Sequence, residues 1–164
     1  MTMDQEQLSK LRDAGYNRVP ITHEVLADLD TPLSVYLKLA AGPYSYLLES
    51  AQGGEKWGRY SIIGLPAKTV LTVRGNHIEI TENGNRIEAH ESSDPIAFVE
   101  RYHQQFKVAP VEGLPRFHGG LVGYFGYDTV RYVEPRLQAS TPPDQMGTPD
   151  ILLMVSEEVL VFDN

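Results

Sequence analysis

The stretch TVLTVRGNHIEITENGNRIEAH, residues 69–90, decides the fold of this chain. It holds three runs of strand-forming residues, 69–74, 77–82 and 85–90. The dipeptides Gly75-Asn76 and Asn83-Gly84 separate the runs, and both tolerate the positive φ of a tight hairpin turn. In the second run isoleucines alternate with polar residues, as in a strand with one buried and one wet face. The stretch therefore predicts an antiparallel meander.

Helices and further strands are predicted on both sides of this meander. The helices are expected near residues 4–14, 32–41 and 95–106, and the additional strands near 43–50, 59–64, 117–128, 151–155 and 159–162. Thr31-Pro32 and Asp94-Pro95 each supply an N-cap residue followed by proline at the first helical position. We expect an α+β fold with antiparallel, sandwich-like sheet layers and a few packed helices.

Composition narrows the class of protein. The 164 residues suit one domain, and the absence of cysteine excludes disulfides and thiolate metal sites. A net charge of -8 and the lack of a basic cluster argue against nucleic-acid binding. No apolar run approaches the roughly 18 residues of a membrane span, and the N-terminus has no signal-like segment. A cytoplasmic protein with no nucleic-acid or membrane partner is expected.

Three features of the sequence predict no catalytic or metal-binding function: a run of glycines, an aspartate after it, and the histidines. The glycines at 119, 120, 123 and 126 match neither the dinucleotide nor the Walker spacing, and they predict a bulged strand with close backbone approach. Asp128, which follows this strand, is interpreted as a helix N-cap rather than a catalytic acid. The five histidines lack ligand spacing. We predict no metal site and no catalytic residue in this chain.

The segment LLESAQGGEKWGRYS, residues 47–61, is the candidate binding site. Glu49 and Ser50 end one predicted strand, a polar loop follows, and Trp57, Arg59 and Tyr60 begin the return strand. The arrangement suits a zwitterionic amino acid: Arg59 or Ser50 for its carboxylate, Glu49 or backbone carbonyls for its ammonium, aromatic rings for its side chain. A plain surface hairpin is the alternative.

Three segments resemble the amino-terminal region of anthranilate synthase component I, of the chorismate-utilising enzymes. They are PYSYLLES (43–50), WGRYS (57–61) and FHGGLVGYFGYD (117–128), and the resemblance covers about residues 22–164. It implies a complete enzyme that converts chorismate and ammonia, or glutamine through a partner amidotransferase subunit, to anthranilate and pyruvate. It also implies Mg²⁺ in the catalytic part. Component I of aminodeoxychorismate synthase, in the folate pathway, and a free-standing amino-acid-binding module are the alternatives.

The resemblance also implies feedback inhibition by L-tryptophan. The implied contacts are Glu49, Ser50, Trp57, Gly58, Arg59 and Tyr60. A third contact stretch of the family has no counterpart here, so we expect an incomplete pocket.

The end of the chain supports the same interpretation. The apolar run 159–162 is followed only by Asp163 and Asn164, so we expect residue 164 to be a cut point. Residues 1–164 are then an amino-terminal regulatory domain, inactive alone, with a flexible connection near 138–150. Such a fragment is expected to expose an apolar edge or face and to self-associate.

Overall fold

The computed structural model describes residues 5–49, 59–134, 136–137 and 144–163. In these residues the elements are α1 Gln5–Asp13, α2 Pro32–Val35, β1 Tyr46–Glu49, β2 Tyr60–Gly64, β3 Thr69–Arg74, β4 His77–Glu82, β5 Asn85–Glu91, α3 Pro95–Gln104, β6 Gly120–Phe125, α4 Val130–Val133, β7 Ile151–Ser156 and β8 Val159–Asp163. A π-helical turn, Tyr36–Ala40, continues α2, and a 3₁₀ turn, Tyr127–Thr129, precedes α4. Each predicted helix and strand is found within a few residues of its expected place.

The strands form two antiparallel sheets. One has three strands in the order β1-β2-β8, and the other has five in the order β5-β4-β3-β7-β6. Every neighbouring pair in both sheets is antiparallel. The predicted α+β class with antiparallel sheets and a few helices is confirmed.

The meander has the predicted turns. Asn83 and Gly84 have φ angles of 50° and 77°, as a two-residue turn with positive φ at both central positions requires. At the other turn Gly75 has a φ of 57°. Ile78 and Ile80 are fully buried, whereas Glu79 and Thr81 are only partly covered, so the predicted alternation holds.

The core lies between the five-stranded sheet and α3. Its buried members are Leu71, Val73, Ile78, Ile80, Val99, Ile151 and Leu153. The Asp94 side chain caps α3 by accepting a hydrogen bond from the backbone N–H of Ala97 at 2.9 Å. At α2, Thr31 and Ser34 form a reciprocal capping box. Both predicted N-cap and proline pairs are therefore present.

The glycine-rich strand is only partly as predicted. A Cβ on Gly123 would lie 1.9 Å from the carbonyl oxygen of Leu152, so the expected close backbone approach is real. The expected bulge is wrong, because β6 pairs with β7 from Gly120 to Phe125 without a register shift. Glycine is needed in β6 because its backbone lies very close to β7, and not because the strand contains an extra residue.

The N-cap interpretation of Asp128 is also wrong. Asp128 lies inside the 3₁₀ turn, and Gly126 precedes that turn. The Asp128 carboxylate instead pairs with Arg131 Nη1 at 2.9 Å, one turn further along. This contact gives the aspartate a local structural partner.

The two sheets are joined by side-chain and backbone contacts near Tyr46. The Tyr46 hydroxyl lies 2.7 Å from Ser156 Oγ on β7, and its ring meets Phe117 edge-on. The Leu65 N–H donates to the Glu158 carbonyl at 3.1 Å. Burial raises the pKa of Tyr46, and the hydrogen bond to Ser156 opposes that change. The strand carrying the LLES motif is thus attached to the larger sheet.

Apolar side chains are exposed along the segment before β1. Among them are Ile21, Val25, Leu26, Leu29, Leu33 and Leu37, and Leu29 is fully exposed. Within the described residues no helix is both long and apolar enough to cross a bilayer. The expected self-association stays a prediction.

Candidate functional site

Strands β1 and β2 bring the described candidate residues to one end of the three-stranded sheet. Glu49, the last residue of β1, pairs with Ser61 of β2. Tyr60 is the first residue of β2 and Arg59 directly precedes it, next to this pair. Glu49 and Arg59, the described residues on either side of 50–58, therefore lie at the same sheet end. Ser50, Trp57 and Gly58 lie outside the described residues.

The guanidinium of Arg59 is held by a carboxylate of the chain itself. Its Nε and Nη2 atoms each lie 2.5 Å from a different carboxylate oxygen of Asp163, the last residue of β8. The hydrogen bond from Arg59 lowers the pKa of Asp163 below its ordinary value, and the hydrogen bond to Asp163 raises the pKa of Arg59. Arg59 Cζ also lies 5.0 Å from the centre of the Tyr60 ring.

A row of three side chains crosses this sheet end. Ser61 lies opposite Glu49 on one side and opposite Phe162 of β8 on the other. Residues paired across neighbouring strands share a face, so these three form a common surface. Ser61 is only 4% exposed, whereas Glu49 and Tyr60 are exposed. The row therefore has a covered centre at Ser61 with the exposed Glu49 beside it, and Tyr60, one residue before Ser61, faces the other side of the sheet.

Sequence reasoning missed Phe162 and Asp163 as neighbours of the site, and it gave Ser61 no role of its own. Ser61 stands within the quoted WGRYS segment, but nothing in a sequence indicates which strand residue faces inward at a hairpin end. Asp163 is 104 residues from Arg59 along the chain. In the sequence Asp163 is an acidic residue directly after an apolar run, and that pattern does not identify its ion-pair partner.

Two hollows in the described residues lie away from this sheet end. The larger, about 350 Å³, lies between α3 and the five-stranded sheet and is lined by Ile96, Val99, Glu100, His103, Leu121, Phe125 and Leu153. The smaller, about 20 Å³, lies near Leu65 and Glu158. The first has only Glu100 and His103 as charged or titratable lining groups, so it offers few orienting contacts to a zwitterion.

Metal binding finds no support in the part of the chain that the structure describes. No group of three or more histidine, aspartate or glutamate side chains is arranged to hold an ion there. Asp163, which lies next to the candidate site, is paired with Arg59. The Mg²⁺ implied by the resemblance therefore has no fitting residues among those described.

The chain is similar in sequence to curated proteins over almost its whole length. It is 62% identical over 162 residues to anthranilate synthase component 1 of Pseudomonas putida, covering 99% of this chain and 33% of that protein. Identity is 60% to the Pseudomonas aeruginosa protein of that name and 41% to the Aquifex aeolicus one. The chain spans about a third of the length of these relatives. No protein-family model matches it.

The chain is also similar to a solved structure of an enzyme with the same name. The crystal structure of anthranilate synthase component I from Streptococcus pneumoniae TIGR4 matches 88% of this chain and 30% of its own, with a TM-score of 0.50 and 28% identity. Sequence and structure comparisons thus point to the same enzyme component, and to one part of it.

Proposed function

The chain is related to the amino-terminal part of anthranilate synthase component I, and from that premise we propose that it is the tryptophan-sensing region of such an enzyme. The observation that carries the proposal is the sheet end at which Glu49 faces Ser61 while Arg59 and Tyr60 begin the adjacent strand. These residues flank the stretch 50–58, so the described candidate contacts lie at one end of the sheet. The names of the relatives favour this function over the folate-pathway alternative.

The complete protein, in this proposal, is a cytoplasmic lyase that converts chorismate and ammonia to anthranilate and pyruvate. With glutamine as the nitrogen source, a component II amidotransferase subunit delivers the ammonia. Catalytic residues and any Mg²⁺ site lie in the part of the protein that this chain does not include. The chain alone is therefore expected to be inactive.

The ligand proposed for the site is L-tryptophan. Its ammonium group suits Glu49, whose carboxylate is exposed at the end of β1. Its carboxylate suits hydroxyl and N–H donors around Ser50, and its indole suits the rings of Trp57 and Tyr60. Gly58 suits a close approach of the ligand because it has no Cβ, and Arg59, directly before β2, completes the set.

Inhibition then acts on conformation rather than on chemistry. Tryptophan bound at the end of β1 and β2 favours an arrangement in which the catalytic part does not close on chorismate. A ligand shifts such an equilibrium only by the difference of its affinity for the two arrangements. Residues of this site should accordingly change inhibition much more than turnover.

Ser50→Ala in the complete protein tests the site. We expect tryptophan inhibition to weaken by roughly tenfold or more, since about 1–3 kcal/mol is lost when a buried polar group loses its partner. The turnover number should stay within about twofold, because Ser50 takes no part in the chemistry. Ser9→Ala is the control, since the Ser9 hydroxyl bonds only within α1 in the described contacts. Unchanged sensitivity in Ser50→Ala would remove that residue from the site.

Calorimetry separates a sensing region from a free-standing binding module. We expect tryptophan to bind the complete protein clearly and this chain weakly or not at all, because a third contact stretch lies outside the chain. Equal affinity in both would favour the free-standing module.

A further inference from the structure

The two outer strands of the five-stranded sheet, β5 and β6, differ in how they present their free edges. β5 carries Arg86, Glu88 and Glu91, and its register with β4 shifts between Ile80 and Thr81. Charges and bulges are the means by which proteins prevent an edge strand from pairing with a further strand. The β5 edge is therefore protected against another neighbour.

β6 lacks both kinds of protection. Gly120–Phe125 contains no charged residue and no proline, and it pairs with β7 without a register shift. Tyr124 and Phe125 are 41% and 52% exposed. Among the described residues β6 has no neighbour on its other side. A regular, uncharged edge strand with exposed aromatic rings is the kind of edge to which another strand adds.

Alternate N–H groups of β6 point away from β7. The Gly126 N–H, one residue after β6, donates to the Asp150 carbonyl at 2.7 Å, and these two residues continue the β6–β7 register. Bonded and non-bonded pairs alternate along an antiparallel ladder, so the N–H groups of Leu121, Gly123 and Phe125 face the free side. A strand added on that side would accept hydrogen bonds from them.

The larger hollow lies along this same edge. About 350 Å³ in volume, it is bounded by Ile96 and Val99 of α3 and by Leu121 and Phe125 of β6. Gly123, which lies between those two β6 residues on the same face, has no side chain to fill the space. A strand beside β6 would place every second side chain over this face, and apolar side chains there fit the hollow.

We propose that, in the complete protein, a β-strand from outside residues 1–164 pairs with β6 and extends the sheet to six strands, with apolar side chains towards α3. This chain spans about a third of the length of its relatives, so most of such a protein lies outside it. A segment of the same polypeptide reaches an open edge at a higher effective concentration than a separate molecule does. The inference does not depend on the tryptophan site, because β6 belongs to the other sheet.

Amide-resolved hydrogen exchange of the complete protein tests the pairing. We expect the N–H groups of Leu121 and Gly123 to exchange within about tenfold of the rate of Val122, because all three would be bonded within one sheet. β5 is the internal control, since the amides of an unpaired edge should alternate between slow and fast exchange. If Leu121 and Gly123 exchange rapidly while Val122 exchanges slowly, β6 is an open edge and the proposal is wrong.

A matched pair of lysine substitutions tests the edge itself. Phe125 of β6 and Ile87 of β5 are both 52% exposed. In the complete protein Phe125→Lys places a charge on the proposed docking edge, and it should speed exchange of the Gly123 N–H by about tenfold or more. Ile87→Lys places the same charge on the protected edge, and it should change that rate by less than about twofold. Equal rates in the two variants would contradict the pairing.

Photocrosslinking identifies the strand. The complete protein carries benzoylphenylalanine in place of Tyr124, which is exposed near the end of β6, and mass spectrometry locates the attached peptides. We expect, besides products with nearby residues, a peptide of the same polypeptide from outside residues 1–164. A product of two joined copies, a peptide from component II, or products confined to residues 1–164 would each overturn the proposal. A complete protein that ignores tryptophan would overturn the proposed function and leave this inference intact.

Discussion

The five-stranded and three-stranded sheets differ in what their strands bury. In the larger sheet β3 has three fully covered apolar residues, β4 has two, and α3 packs against them. In the smaller sheet β1 has no fully buried residue, and every residue of β8 is at least partly exposed. The larger sheet therefore holds most of the apolar burial that drives folding.

This difference suggests two roles: the larger sheet provides stability, and the smaller sheet carries the candidate binding site. A sheet with a closed apolar core tolerates little change, because packed interiors feel even one added or missing methylene. A sheet with an open end can present polar groups to a ligand and adjust to it. The candidate site lies at the open end of the smaller sheet, so substitutions in the two sheets should differ in their effect on stability.

The largest effect is expected from adding a methyl group at glycines of the two sheets. In Gly123→Ala the new Cβ would lie 1.9 Å from the Leu152 carbonyl oxygen, a backbone atom that cannot move without opening the β6–β7 pairing. In Gly64→Ala it would meet the Tyr46 ring, at 2.0 Å from Cε1, and a ring can turn aside. We expect destabilisation above about 3 kcal/mol for the first and about 1–2 kcal/mol for the second, by denaturant unfolding. Equal losses would contradict the proposed rigidity of the larger sheet.

A smaller contrast is expected from shortening leucines. Leu71 of β3 is fully buried, and Leu71→Ala should cost about 3 kcal/mol of unfolding free energy because a cavity forms in the core. Leu48 of β1 is 50% exposed, so Leu48→Ala should cost about 1 kcal/mol or less. Chemical denaturation of both variants measures the contrast. A costly Leu48→Ala would mean that the smaller sheet contributes to the core more than its exposure indicates.

The smallest effects concern two tyrosine hydroxyls. Tyr132 Oη lies 2.7 Å from Asp150 Oδ2 and 2.9 Å from the Gly75 carbonyl oxygen. Asp150 directly precedes β7, and Gly75 lies in the turn between β3 and β4, so both partners belong to the larger sheet's connections. Tyr46 Oη lies 2.7 Å from Ser156 Oγ, between the sheets. Since a charged partner makes a stronger bond, we expect Tyr132→Phe to cost about 1.5 kcal/mol and Tyr46→Phe about 1 kcal/mol.

The pH dependence of stability adds a second test of these tyrosines. Burial raises the pKa of Tyr132, and Asp150 raises it further; burial also raises the pKa of Tyr46. A raised folded-state pKa contributes stability that is complete below the unfolded value of about 10 and is lost as pH increases through the folded value. Each phenylalanine variant should therefore lose less stability than the wild type above about pH 10. An unchanged alkaline slope in Tyr132→Phe would contradict the role of its hydroxyl.

The elements were predictable because their signals are local. The alternation at Ile78 and Ile80, the turn at Asn83 and Gly84, and the cap at Asp94 each act over a few residues. Strand order was not predictable. Strands β7 and β8 are consecutive and similarly apolar, yet they belong to different sheets. The choice depends on which distant strands accept them, and no local pattern contains that information.

The same distinction explains what was found and missed at the site. Glu49 lies at the same sheet end as Arg59 and Tyr60 because neighbouring antiparallel strands place these residues there, and their role in binding stays a prediction. Asp163 was missed as the partner of Arg59 because β8 reaches β2 only after the larger sheet is complete in sequence. The predicted flexible connection near 138–150 includes residues 138–143, which the structure does not describe, and it stays a prediction.

The position of β7 has a consequence for synthesis on the ribosome. The β3–β4–β5 meander can form as soon as residue 91 emerges, since its contacts are local. One edge of β3 then waits for β7, which supplies the partners of Val70 to Val73 only when residues 151–154 appear. Throughout that interval an apolar strand edge is open to neighbouring nascent chains. Chaperone binding and premature aggregation should therefore be greatest for chains whose translation stalls between residues 91 and 151.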